Sequence, residues 1–219
     1  MSNAGLCPPM IVVGILHPAR MTDLTFGTDK EMPGIKGQGE KFMRYVEKEL
    51  MPYIESNYPT ASYKIFIGHS VGGLTVVNTL IHHPHLFNAY VSLDGALWWN
   101  DQQIVKEAKR NLANTNYKGK TLFMALANRM ERGMDTLEVQ KDTTEGTKLI
   151  RSNLEFIKDI FKKRSKHAFT IIRLLGKSKH ETKMEKVTDG NRKVRIKQSI
   201  FNGYHKKEEW LNKIIQLEK

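Results

Sequence analysis

The run Gly68-His69-Ser70-Val71-Gly72, followed by Gly73, constrains this chain more than any other feature. It fits the pattern G-x-S-x-G, but its flanks carry more weight than the match. A β-prone segment, Tyr63 to Ile67, runs into it, and a helix-prone segment, Gly72 to His82, leaves it. A strand that turns sharply into a helix pushes the serine hydroxyl out at the carboxyl edge of a sheet. Glycines suit such a turn because neighbouring backbones crowd it. The helix start aims free N–H groups and its positive dipole end at the same point. Ser70 is therefore a candidate nucleophile, and the Val71 N–H a candidate oxyanion donor. The competing reading is a tight glycine turn in some other doubly wound fold, with Ser70 as a helix cap.

The rest of the pattern favours a sheet of that kind. Met10 to Ile15 is a continuous run of apolar, mostly β-branched residues, which predicts a buried first strand. Residues 17 to 39 hold Pro18, Gly27, Pro33, Gly34, Gly37 and Gly39 and read as loop. Further strands are predicted at Tyr63–Ile67, Ala89–Leu93, Thr121–Ala127 and Phe169–Leu175. Helices are predicted from Glu40 to Asn57, at Gly72–His82, Gln102–Leu112 and Leu149–Phe161, with a last one from Glu208 to Leu217. Strand and helix in alternation predict an α/β fold of α/β-hydrolase-like type, a mostly parallel sheet with helices on both faces.

A serine hydroxyl needs a base, and in this fold the chain order is nucleophile, acid, histidine. His82, His83 and His85 flank Pro84 at a helix end and read as surface residues. His167 precedes the fifth predicted strand, on the wrong edge. His180 follows that strand, on the serine's edge, and is the candidate base; His205 lies further on. His69 is next to the serine, but its side chain is expected to diverge at a tight turn. The acid should follow the fourth predicted strand, where Glu131 and Asp135 are both in reach, while Asp94 at the end of the third is a less usual place. A carboxylate there orients the imidazole and stabilises its cation.

Composition excludes several alternatives. The 219 residues suffice for one domain with a sizeable core. No apolar run is long enough to cross a bilayer. The single cysteine, Cys7, permits no internal disulfide, and no Cys/His cluster has zinc spacing. The formal charge of +12 is uneven: residues 162 to 219 hold 17 Lys/Arg against 6 Asp/Glu. The expected division is a tag remnant (opening on Met1-Ser2-Asn3-Ala4) and leader (1–9), a hydrolase domain (10–182) and a basic C-terminal extension (183–219). The extension has few aromatics and no nucleic-acid motif, so nucleic acid is not the favoured partner.

Ile65 to Leu74 (IFIGHSVGGL) and Phe87 to Trp99 (FNAYVSLDGALWW) resemble the esterase family that includes esterase D and the enterochelin (siderophore) esterases. Ile11 to Thr25 and Glu40 to Tyr58 are also similar to its bacterial members. The resemblance covers roughly residues 10 to 160. It implies an α/β-hydrolase fold, hydrolysis of a small-molecule ester or thioester, no metal or organic cofactor, Ser70 as nucleophile and Glu131 in the place of the acid. Two departures stand out. The strand leading to the second oxyanion donor has no match, so the domain reads as partial on its N-terminal side. Residues 183 to 207 do not resemble the family.

The expected function is thus a serine hydrolase acting through an acyl-enzyme on Ser70, with Trp98 and Trp99 lining the substrate pocket or packing the core. The alternative is a non-catalytic module of the same fold whose basic tail binds an acidic partner. Acyl transfer to an acceptor other than water, a homo-oligomeric state, and a cytoplasmic as against a periplasmic or secreted location all stay open.

Overall fold

The computed structural model describes residues 9–112, 114–127, 134, 136–162, 170–175, 188–189 and 192–193. Its centre is a parallel sheet of four strands in the order β3-β4-β5-β6: Ile65–His69, Ala89–Leu93, Thr121–Leu126 and Thr170–Leu175. The pairing is in step, with Ile65 opposite Ala89, Ala89 opposite Thr121 and Thr121 opposite Thr170. All four strands therefore end near one edge, and the loops that follow them gather there. The β6 strand starts one residue later than its sequence suggests, and β5 ends one earlier.

The connections are helical. Helix α4 (Val71–His82) joins β3 to β4, α5 (Trp99–Asn111) joins β4 to β5, and α6 (Thr136–Lys141) and α7 (Lys148–Lys162) lie between β5 and β6. Helix α4 packs against both β3 and β4, and α5 packs against α4 and α7. Val76, Val77 and Leu80 of α4 are fully buried, together with Tyr90, Leu122 and Met124 from one sheet face. A smaller cluster of Val91, Phe123 and Ala125, flanked by Ile65 and Leu93, occupies the other face. The split follows from strand geometry, since alternate side chains point to opposite faces.

The helix predicted from residue 40 begins one residue earlier and runs as α2 (Gly39–Tyr45), a π-helical turn (Val46–Leu50) and α3 (Met51–Asn57). Met43 and Val46 carry it into the main core.

Two expectations are overturned. Met10–Ile15 forms no strand: Val12 is 84% exposed, and Leu16 just beyond is 95% exposed. A β-branched apolar run becomes a strand only where a neighbour completes its hydrogen bonds, and the described pairing of β3 is with β4 alone. Residues 17–39 are not all loop. They hold a short helix, α1 (Arg20–Leu24), and an antiparallel pair, β1 (Phe26–Thr28) and β2 (Lys36–Gln38). Elements this short leave no periodicity to detect. A second antiparallel pair, β7 (Thr188–Asp189) with β8 (Arg192–Lys193), lies in the basic stretch. The helix expected from Glu208 falls outside the described residues.

Candidate active site

Ser70 stands between β3 and α4 with φ 59° and ψ −120°. A positive φ is uncommon for any residue with a Cβ, and here it marks a turn held by its surroundings. Its amide donates to the Leu93 carbonyl at 2.9 Å, and its carbonyl accepts from the amides of Leu74 and Ala96, both at 3.0 Å. The turn is so tight that a Cβ on Gly68 would lie 2.2 Å from the Gly72 carbonyl oxygen, and one on Gly73 would lie 2.8 Å from Gly95 Cα. By contrast, a Cβ on Gly72 meets no described atom within 4 Å. The glycines the turn needs are thus the first of the pattern and the one just after it.

Leu74 is the residue whose amide reaches back to Ser70. The amides of Val71, Gly72 and Gly73 lie ahead of the first intrahelical bond, as in any helix start. The Val71 N–H therefore sits at the positive end of α4, immediately after the serine.

A cavity of about 300 Å³ opens at this edge. Ser70, His69 and Asp94 line it from the ends of β3 and β4, Trp98 from the start of α5, Glu31 from the β1–β2 connection, and Glu145 and Lys148 from the turn before α7 and its first residue. The Lys148 ammonium lies 5.0 Å from the centre of the Trp98 ring. It bonds to Glu31 and lies 3.3 Å from Glu145. Burial works against the charge on Lys148, but the two glutamates outweigh it and hold its pKa above the ordinary lysine value. The turn carrying Glu145 is fixed by its own polar network. Asp142 accepts from the Thr144 hydroxyl and the Thr147 hydroxyl at 2.6 Å each, and Arg151 donates to the Thr144 carbonyl at 2.8 Å.

The two tryptophans part company. Trp98 lines the cavity beside Ser70, whereas Trp99 is 2% exposed, sits in the main core and donates its indole N–H to the Phe26 carbonyl at 2.8 Å. Adjacent residues at a helix start point to different sides, so one of the pair faces the cavity and the other the core.

Asp94 adopts φ 47° at the end of β4. Its Oδ1 accepts from the Ala127 amide at 2.6 Å, and its Oδ2 lies 3.8 Å from His69 Nε2. It thereby ties together the carboxyl ends of β3, β4 and β5. His69, whose side chain is expected to diverge from that of Ser70, is among the residues that border the same cavity. His82, His83 and His85 pair with Glu107, Glu40 and Glu47 on the surface, away from this edge. The candidate base His180 and the candidate acids Glu131 and Asp135 lie outside the described residues, as do His167 and His205. Glu31, Glu145 and Lys148 had no sequence signal. They come from segments more than a hundred residues apart, and only the fold unites them. Among the described residues, no group of His, Cys, Asp and Glu is arranged to hold a metal ion.

Residues 9–218 match the family described as "Putative esterase". The chain belongs to this esterase family. The match reaches well past residue 160, where the resemblance read from the sequence fades. A siderophore triacetylfusarinine C esterase of Aspergillus fumigatus is 32% identical over 44% of this chain and 34% of its own length. The ferri-bacillibactin esterase of Bacillus subtilis is 29% identical over 54% of this chain and 47% of its own. Among solved structures, an IroE-like serine hydrolase from Shewanella oneidensis superposes with a TM-score of 0.60 at 28% identity, over 77% of this chain and 54% of that one. The matched region thus spans between a third and a little over half of these relatives. They support an α/β-hydrolase-like fold for the esterase chain.

Proposed function

We propose that this esterase is a serine hydrolase of small-molecule carboxylic esters, working through an acyl-enzyme on Ser70. The observation that carries the reading is the backbone of Ser70: a left-handed φ at a strand-to-helix turn that lines a cavity. Such a turn spends conformational energy to present one hydroxyl, which a mere helix cap does not require.

In the proposed reaction the Ser70 Oγ attacks the ester carbonyl while its proton passes to a base. The carbonyl oxygen becomes an oxyanion and takes a hydrogen bond from the Val71 N–H. A donor in this position is worth about 3 kcal/mol in the transition state. The C–O bond then breaks, the alkoxide leaves with the proton from the base, and water repeats the sequence to release the acid. His180 is the proposed base, with Glu131 or Asp135 as its carboxylate partner, on the strength of chain order. Trp98 is the proposed wall against which the substrate's apolar part packs. The names of the relatives make siderophore esters the first substrates to try.

The test is hydrolysis of short p-nitrophenyl esters and of a triester siderophore by the chain and by Ser70→Ala. Turnover that disappears in Ser70→Ala supports the proposal. Turnover that survives the substitution contradicts it.

A further inference from the structure

Asn153, in α7, is fully buried. Its Nδ2 donates to the Gly95 carbonyl at 2.7 Å and to the Leu149 carbonyl at 2.8 Å. Only the nitrogen of an amide donates, so the two carbonyls fix which way round the side chain sits. The Asn153 oxygen is left with no hydrogen-bond partner among the described residues. An orphaned buried acceptor costs stability, and a leucine at this place would avoid that cost. The bond to Leu149 runs within one turn of α7, so the bond to Gly95 is the one that reaches another element.

That bond acts on the elbow through two peptide units. The Gly95 carbonyl and the Ala96 N–H are the two ends of one planar, trans unit. A donor held on the carbonyl therefore fixes the direction of the N–H, and this N–H donates to the Ser70 carbonyl at 3.0 Å. The Ser70 carbonyl and the Val71 N–H are again the two ends of one planar unit. Two peptide units thus stand in series between the Asn153 amide and the Val71 N–H. Leu97 also donates to the Gly95 carbonyl, at 2.8 Å, and Leu74 to the Ser70 carbonyl, at 3.0 Å. Those donors come from within two and four residues of their acceptors, whereas Asn153 is brought from a separate helix. Hydrogen bonds in such a chain also polarise one another, which strengthens the last donor. The packing leaves room for nothing larger at Gly95: a Cβ there would lie 2.6 Å from Ser92 Oγ, which itself donates to the Gly73 carbonyl at 3.1 Å.

We propose that Asn153 is a positioning residue for the oxyanion donor, an inference that rests on the acyl-enzyme reading of Ser70. The oxyanion forms only after the ester has bound, and the Val71 N–H must already point at it. The series from Asn153 through Gly95, Ala96 and Ser70 holds the N–H in that direction. Asn153 itself touches neither the substrate nor the reacting atoms, so its effect falls on turnover and not on binding.

The test compares p-nitrophenyl acetate hydrolysis by the parent, Ser70→Ala, Asn153→Leu and Ile157→Val. Ile157 lies in the same helix, is buried in the main core and takes no part in the series. Asn153→Leu should lower kcat about tenfold and leave KM within about twofold, short of the loss on the order of 100- to 1000-fold that follows removal of a whole donor. Its Tm should stay near the parent's, because the orphaned acceptor leaves with the amide. Ile157→Val should lower Tm and leave kcat unchanged. Amide hydrogen exchange of the parent reads the series whatever the variants do: the Ala96 amide should be protected as strongly as that of Val76 inside α4. The proposal is overturned by an unchanged kcat in Asn153→Leu, by a loss confined to KM, by an equal fall in kcat in Ile157→Val, or by rapid exchange at Ala96. A parent that shows no turnover, or whose turnover survives Ser70→Ala, overturns the acyl-enzyme reading and the proposal with it; the other outcomes overturn the proposal alone.

Discussion

The amide of Ser70 is bonded to the carbonyl of Leu93 at 2.9 Å, so the end of β3 is fastened to the end of β4 at the residue that makes the turn. The left-handed backbone of Ser70 persists because this bond, the bonds to its own carbonyl and the glycine contacts all restrain it together.

The glycines of the turn are predicted to differ sharply in tolerance. A methyl on Gly68 would overlap the Gly72 carbonyl, and Gly68→Ala should destabilise by about 1–3 kcal/mol, the usual cost of overpacking. Gly72→Ala meets open space in a helix and should be neutral or stabilising by up to about 1 kcal/mol. Urea denaturation of the two variants checks this, and equal losses would contradict the geometry.

Lys148 is predicted to govern substrate binding more than turnover. Lys148→Met removes the cation over Trp98 and leaves Glu31 and Glu145 without it in the cavity. Exposed or half-exposed pairs of this kind contribute about 1 kcal/mol or less each, so folding should persist. With an anionic ester, KM should rise several-fold more than with a neutral ester, while kcat changes little. Equal KM changes for both esters would show that the charge plays no part.

The turn before α7 should depend on pH through Asp142. Hydrogen bonds from Thr144 and Thr147 hold its pKa down, at about 2. A carboxylate with a depressed folded pKa stabilises the fold above its unfolded value, near 3.9, and loses that contribution as pH falls toward 2. The Tm difference between the parent and Asp142→Asn should therefore be largest above pH 5 and shrink between pH 4 and 2. A difference that stays constant over that range would rule out the ionised form as the source.

Much of this was legible in the sequence, for physical reasons. The elbow, α4 and β4 were recognisable because their apolar residues are continuous and long enough to show a period, and because Gly68 and Pro84 punctuate them. Met10–Ile15 misled because an apolar β-branched run states a preference, whereas pairing depends on a neighbour. The pair Trp98-Trp99 could not be divided in advance, since one residue of rotation decides which ring meets the cavity. Glu31 and Lys148 were invisible because no local pattern encodes a contact between distant loops. Asp94 was visible only as a less usual acid, and its ties to Ala127 and His69 emerge from the way three strands end together.

Labelling with a fluorophosphonate probe tests most directly whether Ser70 is an activated nucleophile. The reagent forms a stable adduct with an activated serine and leaves ordinary hydroxyls unmodified. Mass mapping of the labelled full chain should place one adduct on the peptide containing Ser70, and Ser70→Ala should abolish it with folding intact. A folded chain that takes no label, or takes it on another serine, would contradict the account.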